Sequence, residues 1–489
     1  MGFIFMCQKV VSNWGMSEFG DAELGDKRLT ERLVRLADSF ANAPESSINQ
    51  ACESWSEAKA AYRFFQNDNV KESKILNMHV IKTVERIKNH DTVLVVQDTS
   101  YITYTSHKKT TGLGIISRKA GINVKNIESK GLIMHTAFAV SSDGLALGLL
   151  DQKIHSRPPI SEEIKELKKS SHNNAVRIED KESMRWLNTL KETVKATNIS
   201  ATQIVTVCDR EADIYDFFEL AKTQDSAVLV RAARDREINR KSKCSTKDKQ
   251  KLWEVVENFQ CSGKITVEIP GRDNKAGRTA HLDVRFGKFM MNPSRNNIRH
   301  QTETLANLPM YAIQVIEKNQ PANTTPLEWI LLTNIVVNSF EEAIEKVKWY
   351  CLRWRIEVFH KILKSGFKVE ECRLSTGARL IKYLTVMSVI AWRMFFITLI
   401  ARTSPNIPCT TLLAEEEWRV LYIKIHKIAP PSNTIPTIKD AITWVARLGG
   451  YLARKNDPEP GPIVLWRGWQ RLFDLTQGWQ LANSINICG

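Results

Sequence analysis

Three acidic residues are distinguished by the sequence around them. Asp98 follows the apolar run VLVVQ, Asp209 follows IVTVC, and Glu357 lies among cationic residues in a helical pattern. Hard divalent cations prefer oxygen ligands, and a pair of such ions can activate an attacking oxygen while stabilising a leaving one. Two carboxylates at strand ends and a third on a later helix would suit phosphoryl transfer with two metal ions. Each acid also has an ordinary alternative: Asp98 and Asp209 as turn caps, and Glu357 as an exposed helical acid.

The surroundings of Glu357 have a regular spacing. Tyr350 and Arg353 precede it by seven and four residues, and Lys364 follows it by seven. These intervals place the four side chains near one helical face. The helical period predicts one long helix that ends at Gly366. That face would offer an aromatic ring, a guanidinium, a carboxylate and an ammonium group.

Strands are predicted directly before both aspartates. The runs TVLVVQDTSYITY, GLIMHTAFAV and LALGLL predict three strands in an antiparallel meander. A helix is expected over 181–196, and QIVTVC and SAVLVRAA predict two buried strands with a helix between them. The order β-β-β-α-β-α-β matches the ribonuclease-H-like core, an α/β fold with a mixed sheet. In that fold, acids at the ends of adjacent central strands meet at one edge of the sheet.

The rest of the chain is predicted to form a helical N-terminal module, a β insertion and a helical C-terminal domain. LGDKRLTERLVRLADSFANA places leucines at helical spacing among cations, as a basic helix or an ordinary solvated helix face would. ITVEIP, HLDVRFGKFMM, YAIQVIE and EWILLTNIVV alternate apolar and polar residues, as half-buried antiparallel strands do. The predicted boundaries are 1–75 for the N-terminal module, 76–251 and 338–372 for the core, 252–337 for the insertion and 373–489 for the C-terminal domain.

Charge and composition limit the class of protein. The 489 residues are too many for one ordinary core, and 43% hydrophobic with 25% charged residues is typical of a globular protein. The 69 Lys and Arg residues outnumber the 54 acids, and the net charge is +15. Nucleic acid is the first candidate partner, although a soluble protein that happens to be basic explains charge alone equally well.

Other classes of protein are disfavoured. The nine cysteines are scattered without a CxxC pair, which favours reduced thiols in the cytoplasm over a disulfide framework. The apolar stretch from Tyr383 to Ala401 is interrupted by Arg393 and is expected to be a buried core helix, not a membrane span. The ten histidines form no HExxH motif, and no GxxxxGK[ST] loop indicates the use of ATP.

The motifs together resemble the insertion-sequence-four family of bacterial transposases, which are of the DDE type. The Tyr-Arg-Glu-Lys spacing agrees at all four positions, and QDTSYITY and CDREADIY resemble the family's strings around its first two acids. Further agreement is found in LGDKR, AYRFFQN, LVR, PLEWILLT, ARLGGYLARK and LWRGW, so the resemblance covers nearly the whole chain. One departure is QKIHSRP, where Ile154 and His155 replace the family's usual tryptophan.

This resemblance implies a mechanism and a set of site residues. It implies that Asp98, Asp209 and Glu357 bind two divalent ions, Mg²⁺ by default with Mn²⁺ as a substitute. It implies cutting at terminal inverted repeats through a DNA hairpin, then joining to target DNA, by a cytoplasmic homodimer that pairs two double-stranded DNA ends and uses no membrane. The implied DNA contacts are Arg28, Arg32 and Arg63 in the N-terminal module, then Arg231, Tyr350, Arg353 and Lys364, with Trp329 as the stacking surface for an unpaired base.

Two alternative functions are compatible with parts of the sequence. The first is a catalytically silent DNA-binding inhibitor or regulator derived from a transposase. The second is a ribonuclease-H-fold nuclease that cleaves without joining. The intact acidic triad disfavours the first, and the β insertion with the family-like C-terminal region disfavours the second, because a simple nuclease needs neither.

Overall fold

The chain folds into two compact units. The computed structural model describes residues 14–52, 54–121, 124–158, 176–198, 201–239, 250–269, 277–295, 297–321, 326–431, 434–455 and 457–485. The first unit comprises Met1–Asp91, Thr99–Pro158 and Arg355–Gly489, and the second comprises Thr92–Asp98 and Pro159–Trp354.

In the described residues five α-helices precede the strands, three lie between strands and six follow them. The helices are α1 (Trp14–Phe19), α2 (Lys27–Asn42), α3 (Ile48–Ala51), α4 (Trp55–Gln66), α5 (Glu72–Ile87), α6 (Met184–Ala196), α7 (Tyr215–Thr223), α8 (Leu252–Glu257), α9 (Phe340–Leu352), α10 (Trp354–Lys361), α11 (Gly377–Thr403), α12 (Glu415–His426), α13 (Ile438–Leu448) and α14 (Pro462–Ile485). The strands are β1 (Thr92–Thr103), β2 (Gly114–Gly121), β3 (Val124–Ser141), β4 (Ala146–His155), β5 (Gln203–Cys208), β6 (Ala227–Arg231), β7 (Glu237–Ile238), β8 (Gln250–Lys251), β9 (Cys261–Ile269), β10 (Arg278–Met291), β11 (Leu308–Glu317) and β12 (Glu328–Thr333).

The N-terminal part of the first unit is helical, as predicted. Helix α2 begins where the Asp26 carboxylate accepts a hydrogen bond from the Arg28 backbone N–H, which satisfies a donor that the helix leaves unpaired. Its leucines Leu33 and Leu36 are buried, whereas Arg28 is exposed. The periodicity of LGDKRLTERL therefore indicates an amphipathic helix whose cationic residues face the solvent.

Strands β2, β3 and β4 form an antiparallel arrangement in the same unit, with β3 pairing to both neighbours. The prediction of a three-strand meander is wrong in two respects: β2 is an additional strand, and β3 begins at Val124 instead of Gly131. The β2 sequence GIISRKAG mixes glycine, polar and cationic residues. It lacks the regular alternation from which strands are recognised, so sequence periodicity missed it.

Helix α11 is the central helix of the first unit. It is long and apolar enough to cross a membrane, but 89% of its most apolar window is buried inside the protein. The indole N–H of Trp392 donates to the Ala146 carbonyl oxygen at 2.9 Å, which joins α11 to β4. The interpretation of the stretch from Tyr383 to Ala401 as a buried core helix is therefore confirmed.

The end of α13 packs closely against α14 at two glycines. A Cβ atom on Gly449 would lie 1.9 Å from the Val464 carbonyl oxygen, and one on Gly468 would lie 1.7 Å from that of Val445. Glycine is therefore required at both positions for the helices to approach so closely. The strings ARLGGYLARK and LWRGW thus contribute to packing within the chain.

The second unit is built on a mixed sheet. The first half of β1 runs parallel to β5, and β5 runs parallel to β6. Strand β12 then pairs antiparallel to β6, and β11, β10 and the shorter strands extend the sheet from there. All four strands predicted for the β insertion are present, and β12 makes them continuous with the core sheet. Trp186 of α6 and Phe217 of α7 belong to the apolar core that covers this sheet.

The helix predicted to carry the Tyr-Arg-Glu-Lys spacing is irregular. Helix α9 ends at Leu352, and the Arg353 N–H donates to the Tyr350 carbonyl oxygen, three residues back instead of four. After α10, residues Ile362–Gly366 form a π-helical turn. The prediction of one continuous α-helix is therefore wrong, although the end at Gly366 is confirmed. The tight turn at Arg353 and the wide π-helical turn at Ile362–Gly366 each change the angle between successive side chains around the helix axis. The four side chains therefore do not follow the positions of a regular α-helix.

Candidate active site

Asp98 and Asp209 both lie just beyond the paired segment of the neighbouring parallel strands β1 and β5. Asp209 follows the end of β5, whereas Asp98 lies within β1, so the expectation of a strand end at Asp98 is wrong. Val96 of β1 is opposite Val207 of β5, and each aspartate follows two residues later. Because the two strands run in the same direction, the aspartates lie side by side where the parallel pairing ends, and open α/β sheets bind ligands at the carboxyl ends of their parallel strands. Both aspartates are half-buried. The structure thus brings together two of the three predicted carboxylates.

Asp209 is held by the turn that follows it. Its Oδ1 atom accepts a hydrogen bond from the Glu211 N–H at 2.8 Å and so caps a 3₁₀ turn. Burial raises the pKa of Asp209, and the negative charges of Asp98 and Glu211 raise it further, whereas the Glu211 N–H and the Arg353 guanidinium lower it. The turn-cap interpretation of Asp209 is therefore correct and does not exclude a second role, since the capping bond occupies one carboxylate oxygen.

The aspartate pair has the chemistry of a divalent cation site. Two half-buried carboxylates that repel each other are stabilised by a nearby positive charge, and carboxylate oxygens are the ligands that hard divalent ions prefer. Asp98 and Asp209 would hold such an ion. Within the described ranges, no group of three or more His, Cys, Asp or Glu side chains converges closely enough to form a metal site.

Arg231, Tyr350 and Arg353 form a hydrogen-bonded cluster in the second unit. The buried hydroxyl of Tyr350 is hydrogen-bonded to both arginine side chains, and burial raises the pKa of this tyrosine. Arg231 also donates to the Glu328 carbonyl oxygen at 3.1 Å. Tyr350 therefore orients two guanidinium groups, and Arg353 is close enough to Asp209 for its charge to lower the pKa of that carboxyl.

Trp329 stands beside this cluster on β12. Its ring centroid lies 6.1 Å from that of Tyr350, with the ring planes inclined at 57°. The side chain is half-buried, whereas its strand neighbours Ile330 and Leu331 are buried. Trp329 is thus not enclosed in the apolar core, which was the ordinary expectation for a tryptophan on a strand.

The remaining predicted site residues belong to the first unit. Glu357 is half-buried in the first turn of α10. The Lys364 ammonium donates to the Tyr101 carbonyl oxygen at 2.9 Å and lies 3.8 Å from the Glu370 carboxylate. In the N-terminal helices, Arg28 and Arg63 are exposed and Arg32 is half-buried.

Sequence reasoning missed two acids next to Asp209 in the string CDREADIY. The Glu211 carboxylate pairs with Arg185 of α6 at 2.8 Å. Asp213 is buried, pairs with Arg236 and accepts a hydrogen bond from a backbone N–H in the loop after β6. Both are acids with a cationic partner more than 20 residues away in sequence, so only the folded chain reveals their pairing.

The QKIHSRP departure lies at the end of β4. Ile154 is buried and His155 is half-buried. Arg157 donates to the carbonyl oxygens of Ile115 and Ile116 at 3.0 and 3.2 Å, and so fixes β2. Arg157 therefore has a structural role within the first unit, because it ties the end of β4 to β2.

Three family models match the chain. The model described as Transposase DNA-binding matches residues 11–70. The Transposase DDE domain matches residues 172–392, and the Transposase Tn5 dimerisation domain matches residues 389–489. The DDE match implies a ribonuclease-H-like core, in agreement with the mixed α/β sheet and the flanking helical regions.

The fold, the aspartate pair and the DDE match define a DNA-processing enzyme of the DDE class. The chain belongs to the Tn5-like DDE transposases, which confirms the resemblance found in its sequence. Enzymes of this family generally use divalent metal ions. The matches at the two ends of the chain support DNA binding and dimer formation.

Proposed function

We propose that this transposase moves its element by cutting and pasting, with Asp98, Asp209 and Glu357 as the catalytic carboxylates. The observation that carries the proposal is that Asp98 and Asp209 lie side by side just beyond the paired segment of two parallel strands, with Arg353 close to Asp209. Glu357 is the third acid because it lies four residues beyond Arg353, in the first turn of α10. The three acids would hold two divalent ions, Mg²⁺ by default and Mn²⁺ as a substitute. When bound, these ions stabilise charge on the attacking and leaving oxygens.

The reaction proceeds by successive in-line displacements at phosphorus. Water attacks one strand at the transposon end and releases a 3′-hydroxyl group. That hydroxyl attacks the opposite strand, which closes a hairpin and frees the flanking DNA. A second water opens the hairpin, and the regenerated 3′-hydroxyl then attacks a phosphodiester of target DNA. Each step exchanges one phosphorus–oxygen bond for another, so no energy source and no covalent enzyme intermediate is needed.

The cationic residues of the second unit position the DNA backbone. Arg353 and Arg231 present guanidinium groups that can hold phosphate oxygens in a bidentate manner, and the shared hydroxyl of Tyr350 limits their rotation. Trp329 receives the base that is unstacked when the hairpin closes. Lys364 adds a point charge on the first unit.

The N-terminal helices recognise the terminal inverted repeats. Arg28 and Arg63 are exposed and Arg32 is half-buried, and all three lie within the segment that matches the DNA-binding model. We assign residues 1–75 to end recognition, 76–251 and 338–372 to the catalytic core, 252–337 to the β insertion and 373–489 to dimer formation. The active species is a dimer that holds two ends, and it acts in the bacterial cytoplasm at the nucleoid.

One assay tests this function against its two alternatives. The full-length protein is incubated with Mg²⁺ and a duplex that carries the inverted repeats flanking its gene, and the strands are separated on a denaturing gel. A transposase yields nicked DNA, hairpins and strand-transfer products. Binding without cutting would identify a silent regulator, and cutting without joining would identify a nuclease.

A further inference from the structure

A cavity of about 320 Å³ lies in the first unit, and its lining residues are different from those proposed for catalysis. It is bordered by Asp38 of α2, Arg393 of α11, Glu417 of α12 and Trp469 of α14. Its volume is at the lower end of the range found for small-molecule sites. The cavity joins the segment that matches the DNA-binding model to the segment that matches the dimerisation model.

The charge of the cavity is opposite to that of the protein. Its lining contains three carboxylates, Asp38, Glu416 and Glu417, against one guanidinium, Arg393, which gives a formal charge of −2. The whole chain carries +15. This local charge repels DNA phosphate and attracts a cation.

The carboxylates of the cavity are incompletely compensated. Burial raises the pKa of both Asp38 and Glu417, although each accepts a backbone hydrogen bond of 2.8 Å and each faces Arg393. The Arg393 guanidinium lies 4.5 Å from the ring centroid of Trp14, and burial lowers its pKa to about 10. One guanidinium shared between two half-buried carboxylates leaves negative charge that a second cation would neutralise.

The other walls suit the hydrocarbon part of a ligand. Trp14, Met394, Ile397, Trp469 and Phe473 line the cavity with aromatic and aliphatic surface. Aromatic faces attract ammonium groups, and methylene chains pack favourably against such surface. Asn42, Thr476, Gln477 and Gln480 add further side-chain oxygens to the lining, so the apolar surface, and not a lack of oxygen ligands, favours an amine over a bare metal ion.

We propose that this cavity binds a linear aliphatic amine with two or more ammonium groups. One ammonium lies between Asp38 and Glu417, the second lies at the mouth near Glu416, and the methylene chain rests on the aromatic walls. The ligand contacts helices from both matched segments at once, so its binding stabilises their packing against each other.

Isothermal titration calorimetry of the full-length protein without DNA tests this proposal. The probes are 1,4-diaminobutane and spermidine, with 1,4-butanediol as the uncharged counterpart and MgCl₂ at matched ionic strength. We expect saturable binding of the two amines and none of the diol. Equal heats from MgCl₂ or from the diol would overturn the proposal, because neither satisfies both the charge and the hydrocarbon surface.

Two adjacent acids on α12 provide a matched comparison. Glu415 and Glu416 are both exposed, but only Glu416 lines the cavity, where it accepts a hydrogen bond from Gln480, whereas Glu415 pairs with Arg419. Glu416→Gln should weaken amine binding at least three-fold, and Glu415→Gln should leave it unchanged. Equal effects of the two substitutions would show that the amines bind acidic surface in general.

Substitutions inside the cavity should have a larger effect. Asp38→Asn and Glu417→Gln keep an oxygen that can accept the backbone hydrogen bond but remove the charge, and each should weaken binding at least ten-fold. Far-UV circular dichroism checks that each variant is folded. A folded Asp38→Asn variant with wild-type affinity would refute the site, and the exposed position of Glu416 keeps the test valid if a half-buried variant unfolds.

Discussion

The rings of Trp329 and Tyr350 are in contact at a centroid distance of 6.1 Å, one on strand β12 and the other on helix α9. Tyr350 is buried and hydrogen-bonded through its hydroxyl to Arg231 and Arg353, whereas Trp329 is half-buried. The contact therefore connects an aromatic surface that a base can reach to the two guanidinium groups proposed to hold the backbone. Substitutions at the two rings should separate stacking from phosphate contact.

Trp329→Ala should cut the first strand normally but form hairpins about ten-fold to a hundred-fold more slowly. Stacking of a base on an aromatic side chain contributes roughly 1–3 kcal/mol, and the metal ligands are untouched. Nicked DNA should accumulate in a time course on a denaturing gel. Tyr311→Ala is a suitable control, because Tyr311 is a half-buried aromatic residue on the adjacent strand β11. Normal hairpin formation by a folded Trp329→Ala protein would remove this residue from the step.

Tyr350→Phe should lower the rate of nicking about ten-fold while end binding stays within about two-fold of wild type. The ring and its packing remain, but Arg231 and Arg353 lose the hydroxyl that orients them. A hydrogen bond between a neutral and a charged group contributes about 1.5–3 kcal/mol, which sets this scale. Single-turnover nicking and a gel shift on the same duplex provide the measurement. A loss seen only in the gel shift would mean that the hydroxyl supports binding alone.

Asp98→Asn, Asp209→Asn and Glu357→Gln should each reduce cutting at least a thousand-fold and leave end binding nearly intact. A site for two ions fails when one carboxylate is lost, whereas end recognition is assigned to the N-terminal helices. Glu211→Gln is the matched control, because Glu211 lies close to Asp209 but pairs with Arg185. Severe loss in Glu211→Gln together with activity in Glu357→Gln would make Glu211 the third ligand. Cleavage assays in Mg²⁺ and in Mn²⁺ distinguish these outcomes.

The sequence predicts the strands next to the two aspartates because the segments before them, 93–96 and 205–208, are short buried runs rich in valine. Short apolar runs with many β-branched residues are typical of buried strands. Strand β2 escaped prediction because its residues mix glycine with polar and cationic side chains. The irregular turns around Arg353 and before Gly366 also escaped, since 3₁₀ and π turns depend on local hydrogen bonding that spacing does not encode.

Long-range pairing was the other feature that sequence reasoning could not supply. Tyr350 was identified from its spacing, but its hydrogen bond to Arg231, more than a hundred residues earlier, exists only in the folded sheet. The same holds for the partners of Glu211 and Asp213. Such contacts are set by topology, because β12 brings the end of β6 next to α9.

The first unit should lose stability as the pH falls, because of a buried polar network. Glu18 binds His79 and Arg86, each at 2.5 Å, and Arg86 lies 4.0 Å from the ring centroid of Trp392. Burial alone would raise the pKa of Glu18, but Arg86 and His79 lower it to about 2, against 4.5 for an unperturbed glutamate. Burial lowers the pKa of His79, whose Nε2 accepts a hydrogen bond from the Leu149 N–H.

The lowered pKa values of Glu18 and His79 both make the folded protein less stable as the pH falls. The unfolded chain takes up a proton at His79 below about pH 6.5 and at Glu18 below 4.5, while the folded chain resists both. Stability is therefore complete above pH 6.5 and declines in two stages toward pH 2, with about 3 kcal/mol from Glu18. Urea unfolding followed between pH 7 and pH 3 measures it. Glu18→Gln should remove the lower stage, whereas exposed Glu72→Gln should not; an unchanged profile in Glu18→Gln would contradict the assignment.

Trp479→Ser should weaken dimer formation about ten-fold without affecting the fold of the monomer. Trp479 is 44% exposed near the end of α14, where residues 477–483 are all exposed, and the helix lies in the segment that matches the dimerisation model. An apolar side chain left in water on such a segment is typical of an interface, and aromatic anchors contribute a large share of interface energy.

Leu452→Ser is the control, because Leu452 is 67% exposed in the same segment but lies on the loop before α14. Light scattering of the protein bound to its DNA ends gives the mass of the complex at several concentrations. Since two ends must be held together for paired cutting, the Trp479→Ser protein should bind single ends normally and release fewer doubly cut products. Equal dimer masses for the variant and the wild type would place the interface elsewhere on the C-terminal helices.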